Sequence, residues 1–162
     1  MSLNASTPLQ VPVDGRQSET ALQIARGTAR LLHAHGFSVV SELPLPSGRR
    51  ADLVALDSGG TIWIAEIKSS AADFRADQKW PDYRAHCDRL FFATHMDVPS
   101  EIFPPDTGLI VADKFGAAFY CEAPEHKLSA ATRKAMMLLF ARAAAMRLQA
   151  LGDPNGPYGD VT

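Results

Sequence analysis

The stretch RRADLVALDSGGTIWIAEIKS, residues 49–69, contains two apolar runs separated by a tight-turn sequence. The runs 50–56 and 61–69 are rich in Val, Ile, Leu and Ala, and they flank residues 57–60 (DSGG). Two such runs around a Gly-containing turn are typical of a β-hairpin. We therefore predict two antiparallel strands here.

Three charged side chains interrupt these apolar strands: Asp52, Glu66 and Lys68. Side chains alternate along a strand, so Glu66 and Lys68 project from one face, and Asp52 on the partner strand can approach Glu66 near one end of the sheet. Burying such groups unpaired is costly, and a divalent cation would offset that cost. Oxygen ligands from Asp52, Glu66 and the Ile67 carbonyl suit Mg²⁺ or Mn²⁺, with Lys68 beside them to stabilise charge developing on a phosphate. This set of groups favours phosphodiester hydrolysis.

The rest of the chain alternates helical and extended patterns in one order. We predict a helix over 18–34 with Ser18 as its N-cap, then a strand over 37–45 before the hairpin. After the hairpin come a helical stretch over 73–87 that Pro81 breaks, strands over 89–95, 108–112 and 117–122, and a helix over 129–151. We expect a domain over 17–151, between a flexible arm (1–16) and a flexible tail (152–162).

Composition bounds the function. The 162 residues are 46% hydrophobic and 21% charged, which fits one globular domain with its own core. The net charge of −2 excludes a uniformly basic DNA coat. The two cysteines show no disulfide pattern, no secretion signal is visible, and the longest apolar run (135–141) is too short to span a bilayer. We expect a soluble cytoplasmic protein that does not bind membranes.

Asp52 followed by Glu66-Ile67-Lys68 on the next strand resembles the PD-(D/E)XK nuclease superfamily, although Ala51 stands where that motif has proline. Five further segments resemble the MmcB family of bacterial DNA repair proteins, and the similarity spans roughly residues 15–151. These segments are 74–77 (FRAD), 79–83 (KWPDY), 87–88 (CD), 90–93 (LFFA) and 108–113 (GLIVAD). The resemblance implies an α/β (α+β) restriction-endonuclease-like core of order α-β-β-β-α-β, with extra strands and a C-terminal helix around a mixed sheet.

The resemblance also implies supporting residues. A carboxylate on the first helix often joins such sites, and Glu19 is the acid on that helix, although a first-turn acid is equally well explained by the helix dipole. Gln78 and Tyr83 resemble the Gln and Tyr that support related sites, with Lys79 an equal candidate for phosphate contact. The residues that we expect at DNA are Arg49, Arg50, Lys79, Arg133 and Lys134, although strand-edge protection and a solvated helix face explain such charges equally.

The leading hypothesis is therefore a Mg²⁺- or Mn²⁺-dependent DNA endonuclease of bacterial DNA repair, acting on a repair intermediate or branched DNA. Asp52, Glu66 and Lys68 would be its catalytic residues. Two alternatives stay open: a non-catalytic DNA-binding or adaptor protein on the same fold, and a branched-DNA resolvase acting as a homodimer. A surface ion-pair cluster on a solvated sheet face is the alternative for the three charged residues themselves.

Overall fold

Six strands form one mixed sheet at the centre of the structure, a computed structural model that describes residues 18–159. The helices are α1 (Glu19–Ala34), α2 (Ala71–Ala76) and α3 (Ala130–Gly152), with 3-10 helices at Trp80–His86 and Ser100–Ile102. The strands are β1 (Ser38–Pro44), β2 (Arg50–Leu56), β3 (Ile62–Ile67), β4 (Arg89–Thr94), β5 (Gly108–Ala112) and β6 (Ala117–Cys121). The expected arm (1–16) and the last three residues of the expected tail lie outside the described residues.

The strands lie side by side in sequence order, from β1 to β6. β1, β2 and β3 pair antiparallel, β3, β4 and β5 pair parallel, and β6 returns antiparallel to β5. The start of β2 therefore lies at the same end of the sheet as the ends of β3, β4 and β5. We call each of the two boundaries formed by strand ends an edge of the sheet. The expected α+β class and the order α-β-β-β-α-β are confirmed.

Helices cover both faces of the sheet, and alternation along the strands decides which side chains meet which helix. Ile24 of α1 packs in one cluster with Ala65 and Phe91. The neighbouring residues Ile64 and Leu90 point the other way, into a cluster that the 3-10 helix and α3 complete. Glu66 follows Ala65, so it belongs to the α3 face.

The broken helical stretch expected over 73–87 is two separate elements. α2 begins after Ser70, whose hydroxyl accepts from the Asp73 N–H at 3.0 Å, and it ends at Asp77, which is extended. Pro81 stands at the start of the 3-10 helix Trp80–His86, where its missing N–H costs no hydrogen bond. The expected break at Pro81 thus becomes a change of helix, and Asp77 lies in the connection.

A buried ion pair joins α3 to the other edge of the sheet. The guanidinium of Arg133 donates to both carboxylate oxygens of Asp88, at 2.7 and 2.8 Å. Asp88 also accepts from the N–H groups of Ile62 and Leu128. Burial opposes ionisation of Asp88, but these hydrogen bonds outweigh burial and lower its pKa to about 2.

Among the described helices, α3 alone is long and apolar enough to cross a membrane by length and composition. Its side chains Met136, Phe140 and Ala143 are buried in the core. Arg133 binds Asp88, and Arg147 donates to the backbone carbonyls of β1. These contacts tie one face of α3 to the sheet, whereas Met137, Leu138, Leu148 and Leu151 are exposed.

Candidate active site

Asp52 and Glu66 exchange hydrogen bonds with each other's strand. The backbone N–H of Asp52 donates to Oε1 of Glu66 at 3.0 Å, and the N–H of Ile67 donates to Oδ2 of Asp52 at 2.7 Å. The regular pairing of β2 with β3 stops one residue earlier, at Leu53 and Ala65. The two carboxylates therefore take the place of backbone partners where the two strands separate.

Both carboxyl groups are held where ionisation is costly. Burial raises the pKa of Glu66 well above its ordinary value, and the neighbouring Asp52 raises it further. Burial also raises the pKa of Asp52, although the hydrogen bond from the Ile67 N–H lowers it in part. Two carboxyl groups in contact, one buried and one half-buried, disfavour a second negative charge, so a bound cation would relieve the repulsion.

Lys68 reaches the same site, and its ammonium is paired with Asp77. Nζ of Lys68 donates to Oδ2 of Asp77 at 2.7 Å, and the lysine side chain is only 8% exposed. The charge of Lys68 acts on both Asp52 and Glu66, lowering the pKa of each. Burial opposes ionisation of Asp77, but the hydrogen bonds from Lys68 and from the Lys79 N–H outweigh it and lower the pKa of Asp77.

Asp77 is a site residue that sequence reasoning missed. It lies nine residues beyond Lys68, at the end of a six-residue helix, and no strand or helix period links the two positions. The only signal was indirect, because residues 74–77 belong to the segments that resemble the MmcB family. The structure assigns Asp77 the role of holding the Lys68 ammonium in place.

Tyr83 lies beside the carboxylates. It is buried, and its hydroxyl donates to the backbone carbonyl of Arg50 at 3.1 Å, two residues before Asp52. Burial raises the pKa of Tyr83, and the charges of Glu66 and Asp52 raise it further. Tyr83 therefore stays a neutral hydrogen-bond donor that braces the start of β2.

The structure does not bring Glu19 or Gln78 to these groups. Glu19 is exposed at the start of α1, and α1 covers the sheet face opposite the one that carries Glu66. The amide of Gln78 donates to the carbonyl of Arg75 at 2.9 Å and is exposed. For Glu19 the first-turn position explains the acid, since a helix N-terminus favours negative charge.

The basic residues expected at DNA divide between the two edges of the sheet. Arg49, Arg50 and Lys79 lie near the carboxylates: Arg49 pairs with Asp82 at 3.2 Å, Arg50 is largely exposed, and Lys79 is exposed two residues after Asp77. Arg133 and Lys134 start α3, against the Gly60 turn at the opposite edge.

The position of Arg133 favours a structural role over the expected contact with DNA. Its guanidinium is committed to Asp88 and to the Gly60 carbonyl. Asp88 in turn binds Ile62, the first residue of β3, whereas Glu66 lies near the end of that strand. Four residue steps along the strand separate the two places, about 13 Å at about 3.3 Å per residue. We therefore expect DNA along the edge that carries the site rather than at Arg133 and Lys134.

The donors at this edge fit a hard divalent cation. Within residues 18–159, no group of three or more His, Cys, Asp or Glu side chains is arranged to hold a metal. Mg²⁺ commonly binds through one or two carboxylates and keeps its other positions for water and substrate phosphate. Asp52 and Glu66 would supply two such carboxylates, and metal binding by them and by the Ile67 carbonyl stays a prediction.

Comparisons with known proteins give the family. The model of the DNA repair protein MmcB-like family matches residues 9–155. A protein of unknown function from Silicibacter pomeroyi, SPO1766, has a solved structure that is 47% identical, with a TM-score of 0.81 over 86% of this chain and 96% of that one.

A repair endonuclease from Pyrococcus abyssi also matches, at 16% identity and a TM-score of 0.36, over 53% of this chain and 41% of that one. A similarity this low carries no argument about the present protein. No curated protein matches the sequence. With its family model matched over nearly its whole length, the chain belongs to the MmcB-like family of DNA repair proteins.

Proposed function

We propose that this protein is a Mg²⁺- or Mn²⁺-dependent nuclease that hydrolyses DNA phosphodiester bonds during repair. The observation that carries the proposal is the contact of half-buried Asp52 with buried Glu66 at the separating ends of β2 and β3, with the Lys68 ammonium beside it. A surface ion-pair cluster does not account for this geometry, because Glu66 and Lys68 are 3% and 6% exposed. Membership of a DNA repair family supports DNA as the substrate class.

Each residue has a role that follows from its position. Asp52 and Glu66 would hold the cation, and their hydrogen bonds to backbone N–H groups fix both carboxylates before any ligand arrives. Lys68 would donate to a non-bridging phosphate oxygen, where negative charge grows during attack by water. Asp77 holds the Lys68 ammonium in its orientation, and Tyr83 supports the strand that carries Asp52.

The cation itself would supply Lewis-acid stabilisation of the phosphate and make water a better nucleophile near neutral pH. The protein's own part is to hold these groups rigidly, which the burial of Glu66 and its hydrogen bond from the Asp52 N–H favour.

Cleavage of end-labelled DNA tests the proposal. Duplex, nicked, flapped and four-way-junction substrates are incubated with Mg²⁺, Mn²⁺, Ca²⁺ or EDTA. We expect cleavage of at least one substrate with Mg²⁺ or Mn²⁺, little with Ca²⁺, and none in EDTA, because the larger Ca²⁺ shell orients water less strictly. Asp52→Asn and Glu66→Gln should lose activity by at least about a hundredfold, and Glu122→Gln, at an exposed carboxylate far from the site, should not.

Two outcomes would contradict the proposed nuclease activity, and a third would identify one of the alternatives. Cleavage that survives EDTA or the Glu66→Gln substitution would show that a different site or a contaminant acts. DNA binding without cleavage of any substrate by any of the metal ions would favour the adaptor alternative. Cleavage restricted to four-way junctions by a dimeric protein would identify the resolvase alternative.

A further inference from the structure

Glu42 has a backbone conformation that is rare for its residue type. Its φ is 52°, and it is the one non-glycine residue within 18–159 that has a positive φ. Such a conformation is unfavourable for a glutamate and persists only where the surroundings enforce it. Here α3 holds it, because the Arg147 guanidinium donates to the carbonyl oxygens of both Ser41 and Glu42.

The unusual backbone breaks the alternation of β1. Val40 and Leu43 both pack in the cluster on the α3 face, although residues three apart in a regular strand face opposite sides. Ser41 pairs with Leu53 and Leu43 pairs with Ala51, so Glu42 stands opposite Asp52. The break therefore lies directly across from a carboxylate of the candidate site.

The Glu42 carboxylate is close to that site and is held by Arg50. Nε of Arg50 lies 2.6 Å from Oε2 of Glu42, and the Glu42 side chain is 26% exposed. The charge of Glu42 also raises the pKa of Asp52. Arg50 in turn is 59% exposed and lies two residues before Asp52, where it can meet a DNA phosphate.

We propose that Glu42 is the third acidic group of the metal site, acting on the cation through water, and that Arg50 competes with the cation for it. This inference rests on the proposed function. Glu42 is not a direct ligand, since it does not complete a compact ligand group with Asp52 and Glu66. Its negative charge strengthens cation binding, and a DNA phosphate that engages Arg50 weakens the competition of Arg50 for that charge. Metal and DNA then bind cooperatively, as thermodynamic linkage requires.

Mn²⁺ affinity measured by calorimetry and by electron paramagnetic resonance, without DNA, tests the inference apart from activity. Glu42→Gln should weaken Mn²⁺ binding by about tenfold, the usual scale for an outer residue of a metal site. Arg50→Gln should strengthen it, because one cation that competes for Glu42 is gone. Glu42→Asp should retain most of the affinity, since it keeps the charge and since aspartate tolerates a positive φ. Glu122→Gln, the matched control, should bind as the wild type does.

The opposite signs expected for Glu42→Gln and Arg50→Gln separate a charge effect from a folding defect, because damage to the site would weaken binding in both. Glu42→Asn is a second variant that accepts the left-handed backbone and lacks the charge, and it should weaken binding as Glu42→Gln does. Thermal melting of each variant checks the fold.

The results also separate this inference from the proposed function. If Asp52→Asn loses Mn²⁺ and Glu42→Gln binds as the wild type does, the role of Glu42 is wrong and the metal site stands. If the wild type binds no Mn²⁺, both the metal site and the role of Glu42 are overturned.

Discussion

The backbone N–H of Asp52 donates a 3.0 Å hydrogen bond to the carboxylate of Glu66 at the residue where β2 and β3 stop pairing. The same atoms thus close the end of a hairpin and form the candidate metal site. A site made this way is rigid, because its carboxylates are tied to the backbone of the sheet. It is also costly in the metal-free protein, because the buried Glu66 carboxylate lies against a second carboxylate.

Glu66→Gln should therefore stabilise the metal-free protein at neutral pH. The pKa of Glu66 is raised in the folded state, so folding favours its protonated form, and wild-type stability falls as pH rises above the ordinary glutamate value. Glutamine keeps an oxygen that accepts the Asp52 N–H and adds a donor toward the Asp52 carboxylate. We expect a melting temperature higher by about 3 °C at pH 7.5, the shift that about 1 kcal/mol gives in a domain of this size.

Melting curves from pH 4 to pH 8 in EDTA measure this effect. The gain from Glu66→Gln should be near zero at pH 4 and grow toward pH 8, and Glu122→Gln should give no such trend. A variant that is less stable than the wild type at pH 7.5 would show that the two carboxylates do not repel each other in the folded state.

Asp77→Asn should slow cleavage by about tenfold, which corresponds to about 1.4 kcal/mol of barrier. The Lys68 ammonium would lose its charged partner, whereas the asparagine oxygen could still accept the Lys79 N–H that Asp77 Oδ1 binds. Because Asp77 acts through Lys68, kcat should fall while KM for DNA stays nearly constant. Single-turnover cleavage at several DNA concentrations separates the two constants. Asp106→Asn, which breaks the exposed pair with Arg84, is the control and should leave both unchanged. A rise in KM without a fall in kcat would show that Asp77 acts in DNA binding and not through Lys68.

Asp88→Asn should destabilise the fold without touching the site. The substitution leaves the Arg133 guanidinium without its buried partner, which costs on the order of 3 kcal/mol. The pKa of Asp88 is depressed to about 2, so its contribution is fully present above about pH 4 and disappears as pH falls toward 2. Urea unfolding should show the full difference between variant and wild type at pH 6 and a much smaller one at pH 2.5. A difference that is independent of pH would contradict the ionised pair.

The sequence was most informative where local chemistry decides the structure. The Ser18 cap, the turn over 57–60 and the alternation of residues 50–56 place α1, β2 and β3 within one or two residues of their predicted bounds. The carboxylates Asp52 and Glu66 were also detectable, because a charge in an apolar strand is expensive and needs a partner. Glu42 is likewise a charged residue in a strand, β1, but only the register that puts it opposite Asp52 connects it to the candidate site.

What could not be predicted depends on contacts between distant segments. The Lys68–Asp77 pair needs the path of the chain between a strand and a short helix, which no period encodes. The side of the sheet that α1 covers decides that Glu19 is remote, and it follows from packing rather than from the helix itself. From the sequence, Arg133 is typical of a solvated helix face, and only the structure shows that its guanidinium binds the Asp88 carboxylate.

DNA binding should depend on basic residues at the site's edge of the sheet and not on those at the other edge. The double variant Arg50→Gln/Lys79→Gln removes two exposed charges beside the carboxylates. Removing one cation that binds a phosphate should reduce the slope of log K against log salt by about 0.9, so the slope should fall by about 1.8, equally for unrelated sequences.

The control Lys127→Gln/Lys134→Gln removes the same charge near the Asp88 edge and should leave the slope unchanged. That edge is marked by the His126 N–H, which donates to the Asp88 carbonyl. Fluorescence anisotropy with a nicked duplex in EDTA, from 50 to 300 mM salt, measures both slopes without cleavage. Equal reductions of the slope in the two double variants would mean that long-range charge, rather than binding at this edge, attracts DNA. An unchanged slope for Arg50→Gln/Lys79→Gln would show that DNA does not bind at the edge that carries the site.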